Sequence, residues 1–218
     1  MYFLWPGMLA TILQQVLLIA LALSFAREFE RNTFLTEYMP RAHNMVTAIL
    51  IKCLPYWILS VAIWAMYGFM FSYFKLPMPN HLAALNFLGI LLVISVSFLG
   101  ILASILLPTQ LSATDVLMVI ATPSFVISGF TWPLSQMPEL VQKIANCIPL
   151  THFLEGFRKI YMLDVGLSDV QPQVKVLSYM ILVFFILSII ALYVKTRRMK
   201  RRVIKQNQDI SQLQTTEQ

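Results

Sequence analysis

The sequence predicts an all-α polytopic transmembrane protein, because its composition, its hydropathy and the placement of its charges all indicate that class. Of the 218 residues, 58% are hydrophobic and 12% are charged, and the mean hydropathy is +0.73. A soluble domain carries about a quarter charged residues, so this chain holds roughly half the charge that a water-facing surface requires. The composition excludes a soluble enzyme, a nucleic-acid module and a secreted disulfide scaffold.

Five apolar runs are the candidate membrane spans, since a helix needs about 20 apolar residues to cross the hydrocarbon core. They cover residues 6–26, 53–74, 82–107, 116–132 and 174–194. The fourth run is the shortest. The sequence therefore predicts one transmembrane domain over residues 1–205, followed by a polar, disordered cytoplasmic tail over residues 206–218.

The positions of lysine and arginine predict the orientation of these spans. Four basic residues separate the first two runs, Lys75 alone lies in the next loop, and seven basic residues follow the fifth run. Basic loops stay in the cytoplasm, so we expect the N-terminus outside and the C-terminus inside, with the basic tail on membrane lipids. The first run has no basic n-region or cleavage site, so we expect a further span to precede it in a longer protein.

The segment 133–161 lies outside by this count and is interrupted by prolines. Pro133 and Pro138 begin it, and Pro149 divides it into two apolar stretches that are each too short to span. Two short amphipathic helices that enter the outer leaflet and return would satisfy the backbone as the bilayer requires. A pair of surface helices is the alternative interpretation.

The segment 27–41, directly after the first run, carries a mixed-charge cluster. The pattern is typical of a short helix at the membrane surface that presents charges and apolar residues to a groove on another protein. A solvated loop whose charges only end the flanking spans is the alternative. The charged candidates are Arg27, Glu28, Glu30 and Arg31.

Polar residues inside the spans are few, and none near a midplane is ionisable. This argues against an ion-coupled carrier, which usually keeps such a group for the coupling ion. Most hydroxyls and amides at helix contacts serve packing, and Gln14 and Gln15 are the candidates for lining a transport path.

No enzyme motif stands out in the chain. The sequence contains no G-x-x-x-x-G-K-[ST] loop, so ATP hydrolysis by that route is excluded, and no cofactor motif is present. His152 and Glu155 share a helical face, but a third ligand is missing and Glu155 makes an equally good ion pair with Arg158 or Lys159. Ser128-Gly129 lacks the G-x-S-x-G context of a serine hydrolase.

Three stretches resemble a known family. Residues 27–33 read Arg-Glu-Phe-Glu-Arg-Asn-Thr, and residues 52–56 read Lys-Cys-Leu-Pro-Tyr. The third stretch matches in order at Pro123, Ser124, Ser128, Gly129, Phe130, Pro133, Met137, Pro138, Pro149, Leu150, Thr151, Glu155 and Arg158. Together they resemble the ABC-2 type export permeases, the membrane subunits of bacterial drug, polysaccharide and lipid exporters. The resemblance makes the first span here the second of six.

The resemblance implies a permease without its own ATPase site in the bacterial inner membrane. It also implies a separate cytoplasmic ATP-binding subunit and a second permease copy or related half. Arg27, Glu28, Glu30 and Arg31 would then couple the permease to that subunit. A truncated, non-transporting fragment and an intramembrane enzyme are the alternatives.

Overall fold

The computed structural model describes residues 4–31, 33–35, 44–75, 79–130, 132 and 134–216, with side chains from residue 7 to residue 204. Within these ranges the chain forms seven α-helices and no strand. They are α1 (Leu4–Glu30), α2 (Met45–Tyr73), α3 (Leu82–Leu106), α4 (Gln110–Ile127), α5 (Glu139–Asn146), α6 (Pro149–Leu163) and α7 (Gln171–Thr216). A 3-10 turn, Leu134–Gln136, precedes α5.

Five of these helices are long and apolar enough to cross a membrane, which confirms the predicted all-α polytopic class. The spanning segments are Gly7–Glu30, Met45–Tyr73, Leu82–Leu106, Gln110–Ile127 and Gln171–Ile204. Helix α4 begins before the predicted span because the Thr109 side chain caps it, accepting a hydrogen bond from the Ser112 N–H at 3.1 Å. Asp115 therefore lies inside α4, whereas the charge-free run excluded it.

Helix α3 is the centre of the bundle. It packs against α1, α6 and α7, and 67% of its most apolar window is buried inside the protein. Helix α1 lies between α3 and α4. The corresponding windows of α2 and α4 are only 22% buried. The window of α1 is 50% buried and that of α7 only 17%, so α1 and α3 form the core of the fold, and α2, α4 and α7 lie around it.

Small residues bring α1 and α3 together. A Cβ atom added to Gly100 would lie 2.9 Å from the Cβ atom of Leu21, so this contact needs glycine. One turn further, the Ser104 hydroxyl accepts hydrogen bonds from the backbone amides of Phe25 and Ala26, each at 2.9 Å. A side chain that enters the amide ladder of a neighbouring helix in this way is a recognised cause of helix bending.

Helix α7 extends far beyond the apolar span. Its 46 residues correspond to about 69 Å at 1.5 Å per residue, more than twice the thickness of the hydrocarbon core. The composition of residues 206–218 predicted disorder, whereas the structure continues α7 through 216. Extending an existing helix avoids the unfavourable nucleation step, which a composition argument does not take into account.

Candidate functional site

The candidate coupling residues lie at the end of α1. Arg27, Glu28 and Glu30 belong to its last turn rather than to a separate surface helix, and the Arg31 N–H donates to the Arg27 carbonyl at 3.1 Å. Residues 32 and 36–43 lie outside the described part of the chain. A coupling function for residues 27–41 therefore stays a prediction, with its first residues in a spanning helix.

Glu28 joins α1 to α2. Its carboxylate forms an ion pair and hydrogen bond with the Lys52 ammonium, and the two side chains are only 18% and 21% exposed. The Lys52 nitrogen also lies 5.7 Å from the centre of the Phe25 ring. The second Glu28 oxygen is buried and has no hydrogen-bond partner among the described residues. The pair is therefore largely shielded from water and only partly satisfied.

Glu30 joins α1 to α4. One of its carboxylate oxygens accepts from the Gln110 side-chain amide at 2.9 Å and from the Gln110 backbone N–H at 3.3 Å. Gln110 is the first residue of α4, so the carboxylate meets the positive end of that helix dipole. This contact stabilises the start of a peripheral helix from the end of a core helix.

Lys195 joins α7 to α3 and was not singled out in the sequence. Its ammonium donates to the carbonyl oxygens of Ile105 and, at 3.4 Å, Leu107, which are left unpaired where α3 ends. The same nitrogen lies 4.0 Å from the centre of the Phe29 ring, a cation–π contact. The only sequence signal was its position as the first basic residue after the fifth apolar run.

These contacts define what we call the charged end of the bundle, namely Glu28, Glu30, Lys52, Gln110 and Lys195. Three phenylalanines of α1 and the turn after it fill the space between them. The ring centres of Phe25 and Phe29 are 6.0 Å apart, and those of Phe29 and Phe34 are 4.8 Å apart. The structure therefore brings all five spanning helices together around the last turn of α1.

Arg27 and Arg31 differ from the two glutamates. Both arginines are exposed, and neither side chain has a hydrogen-bond or ion-pair partner in the described part of the chain. They lie four residues apart and so occupy one side of the end of α1. Of the four predicted coupling residues, the two glutamates thus bond to other helices of the chain, and the two arginine side chains are exposed.

The opposite end, which we call the hairpin end, consists of residues 128–163. Gly129 follows α4 with φ of +79°, a conformation that favours glycine, and Pro133 lies outside the described residues. Pro138 caps α5, and Pro149 occupies the first turn of α6, where its missing N–H is harmless. Two short helices therefore exist where the sequence predicted them, and their entry into the outer leaflet stays a prediction.

Three of the predicted hairpin residues come together in the fold. Gly129, Glu155 and Arg158 line a pocket of about 270 Å³ between the end of α4 and α6. Glu155 pairs with Lys159 at 3.1 Å, one of the two partners considered from the sequence, and both side chains are about one third exposed. The His152 Nε2 atom lies 2.9 Å from the Asn146 carbonyl. Across the described ranges, no three His, Cys, Asp or Glu side chains form a metal-binding group.

Helix α6 is packed into the bundle rather than laid over it. Phe153, Gly156 and Phe157 are buried, and the Phe153 ring meets Trp64 of α2 edge-on with the centres 6.3 Å apart. A Cβ atom on Gly156 would lie 2.8 Å from a methyl group of Leu88 in α3. The hairpin is thus part of the core at this end.

The two candidate path residues have different environments. Gln14 is 1% exposed, and its side-chain oxygen has no hydrogen-bond partner in the region that the structure describes. Gln15 is partly exposed. An unpaired buried amide oxygen costs free energy, so Gln14 is the one of the two whose burial needs an explanation beyond packing.

Five apolar helices around a buried α3, with paired charges at one end and a helical hairpin at the other, define a multi-pass membrane protein. The chain belongs to the ABC-2 type transporter family, whose model matches residues 1–162. This confirms the resemblance found in the sequence. No solved structure matches the chain at a significant level.

Three proteins of known name are similar to the chain in sequence. The probable multidrug ABC transporter permease YbhR of Escherichia coli (strain K12) is 28% identical over 177 residues, covering 78% of this chain and 46% of YbhR. YbhS, named likewise, is 26% identical over 201 residues, 90% of this chain and 52% of YbhS. ABC transporter G family member 20 of Dictyostelium discoideum is 26% identical over 211 residues, 93% of this chain and 28% of that protein. The chain spans about half the length of the two bacterial relatives.

Proposed function

We propose that the chain is the membrane domain of an ATP-driven ABC-2 type exporter that a separate cytoplasmic ATP-binding subunit energises. Membership of the family supports the transport function. The multidrug names of YbhR and YbhS favour hydrophobic small molecules over polysaccharides as substrates. The permease names of YbhR and YbhS support an ATPase site on another chain.

The observation that carries this proposal is the bonding of the last α1 turn to the peripheral helices. Glu28 bonds to α2 and Glu30 to α4, so a displacement of this turn changes the contacts of both helices. Arg27 and Arg31 are open on the same turn. We assign docking of the ATP-binding subunit to the arginines and transmission into the membrane to the glutamates.

The transport path requires a second permease copy or a related half. The peripheral helices support this, because α2 and α4 expose large apolar side chains that a partner or lipid must cover. Among them are Ile58, Val61 and Phe69 of α2, and Leu111, Met118 and Val119 of α4. Gln14 and Gln15 of α1 are the polar groups that we assign to the path.

The proposed orientation places the charged end in the cytoplasm and the hairpin end outside, in a bacterial inner membrane. The basic residues after the fifth span support it. Gly156 of α6 contacts Leu88, which lies about 9 Å along α3 from Leu82 at 1.5 Å per residue. A re-entrant hairpin is consistent with that depth, whereas a surface helix would contact only the first turn of α3.

The test is co-purification of the complete transporter with its ATP-binding subunit. Replacing both Arg27 and Arg31 by Glu should reduce the co-purified ATP-binding subunit at least tenfold, with the amount of permease in the membrane unchanged. The matched control reverses Arg197 and Arg201 of α7, also exposed and four residues apart, and should retain the subunit. Equal retention by both variants would exclude docking through Arg27 and Arg31.

A second variant tests transmission separately. Glu30→Gln keeps the open arginines but weakens the bond to α4, so the ATP-binding subunit should still co-purify while substrate-stimulated ATP hydrolysis falls. Unchanged stimulation would contradict the assignment of Glu30 to transmission.

A further inference from the structure

A groove between α3 and α7 opens beside the charged end of the bundle. Its volume is about 560 Å³. Leu102 and Leu106 of α3 form one wall, and Leu187, Ile190 and Val194 of α7 form the other. Leu106 is 66% exposed and Ile190 is 53% exposed, so the described residues leave this apolar groove open along its length.

The groove ends in a basic rim on α7. Lys195, Arg198 and Arg202 all line it, and their spacing of three and four residues places them on one helical face. No acidic residue is among its lining residues. Lys195 already bonds to the end of α3, whereas the side chains of Arg198 and Arg202 are exposed and have no hydrogen-bond or ion-pair partner in the described ranges.

The apolar walls and the basic rim match the two parts of a phospholipid, its acyl chain and its phosphate. The apolar walls suit an acyl chain, and Leu187 to Val194 extend for about 10 Å along α7. Two guanidinium groups beyond them suit a phosphate, to which arginine donates paired, charge-assisted hydrogen bonds. We propose that the groove is a binding site for one anionic phospholipid, whose phosphate contacts Arg198 and Arg202 and whose acyl chain lies on Leu106 and Ile190.

The occupant is a lipid rather than a peptide because of where the groove lies. Its apolar part belongs to two segments that are long and apolar enough to cross a membrane, Leu82–Leu106 and Gln171–Ile204. Its basic rim lies in the last turns of the second segment, where basic side chains meet lipid headgroups. A lipid here would bridge α3 and α7 near two contacts that already join these helices. One is the bond of Lys195 to the end of α3, and the other is the hydrogen bond that the Ser188 hydroxyl donates to the Phe98 carbonyl at 3.3 Å. Binding therefore stabilises the contact between α3 and α7.

The test uses the full chain purified in detergent, with dioleoyl phosphatidylglycerol or dioleoyl phosphatidylcholine added. Phosphatidylglycerol should remain bound in native mass spectra and raise Tm, whereas phosphatidylcholine should do neither. The double variant Arg198→Gln and Arg202→Gln should bind phosphatidylglycerol at least tenfold more weakly. The control, Arg197→Gln and Arg201→Gln, removes the same charge from another face of α7 and should bind it normally. Equal loss in both variants, or equal binding of the two lipids, would overturn the site.

The apolar half of the groove has its own test. Ile190→Trp fills the groove without changing any charge and should abolish the Tm increase, whereas Tyr193→Trp, on an exposed residue of α7 outside the groove, should retain it. Glycerol 1-phosphate, which has the phosphate but no acyl chain, should give no increase. An equal increase with glycerol 1-phosphate, or an unchanged lipid effect in Ile190→Trp, would show that the acyl chain does not bind in this groove.

Discussion

The ion pair between Glu28 and Lys52 predicts an unequal response to single and double replacement. The pair is about one fifth exposed, which lies between a surface pair, worth about 0–1 kcal/mol, and a fully buried pair, where deletion of one partner costs about 3–5 kcal/mol. Lys52→Met leaves the carboxylate without its only described partner. We expect it to lower the free energy of unfolding by about 2 kcal/mol.

Glu28→Gln should cost less, about 1 kcal/mol, because the neutral amide is easier to bury than a charge and Lys52 can extend towards water. The double variant should cost about 1.5 kcal/mol instead of the sum, which gives a coupling energy of about 1.5 kcal/mol. The reason is that removing both charges also removes the desolvation cost of the partner left behind.

The assay is unfolding of the detergent-solubilised chain in increasing dodecyl sulfate, followed by tryptophan fluorescence and circular dichroism. Glu155 and Lys159 provide the matched control, since this pair is 39% and 32% exposed and Lys159→Met should cost only about 0.5 kcal/mol. Additivity of the Glu28 and Lys52 replacements within about 0.5 kcal/mol would refute the reasoning. The two residues would then not act as a pair.

Two further predictions use the same unfolding titration, and a third uses intact cells. Gly129→Ala should lower the free energy of unfolding by about 1–2 kcal/mol because of its positive φ, whereas Gly68→Ala, in a helix with no neighbour within 4 Å, should raise it by up to about 1 kcal/mol. Ser104→Ala removes the acceptor of two α1 amides and should cost about 1–2 kcal/mol, measured in the same titration. In intact cells, exposed Cys147 should react with an impermeant thiol reagent, and Gln110→Cys in a Cys147→Ser background should not; the reverse result would contradict the orientation.

The spans were predictable because the bilayer imposes a length and an apolar composition that can be read along one run of residues. Their ends were less predictable, since a cap or a partner in another helix decides them. The charge of Lys52 suggested that α2 begins after it, but Glu28 neutralises that charge inside the helix. Thr109 similarly moved the start of α4 ahead of Asp115.

The candidate site was predictable as a set of residues but not as a set of contacts. Glu28, Glu30 and the arginines came from a local charge pattern and a family resemblance. The partner of Glu30 is Gln110, 80 positions away, and nothing in a single sequence relates the two. Lys195 belongs to the basic run after the fifth apolar segment. The rule that basic loops stay in the cytoplasm already accounts for that run, so nothing in the sequence distinguished Lys195 from its neighbours.

The uneven attachment of the helices restricts how the proposed exporter can move. Helix α1 is held against α3 in its C-terminal half, by the close approach of Leu21 to Gly100 and by the two amides on Ser104, so a force on its last turn moves the two helices together. Helices α2 and α4 have much smaller buried fractions and are joined to that turn through Glu28 and Glu30. Helix α4 packs along α1 almost as extensively as α3 does, whereas α2 has far fewer contacts with α1, so relative motion requires fewer broken contacts at α2. On this mechanism the path opens along α2, while α1 stays packed against α3 and α4.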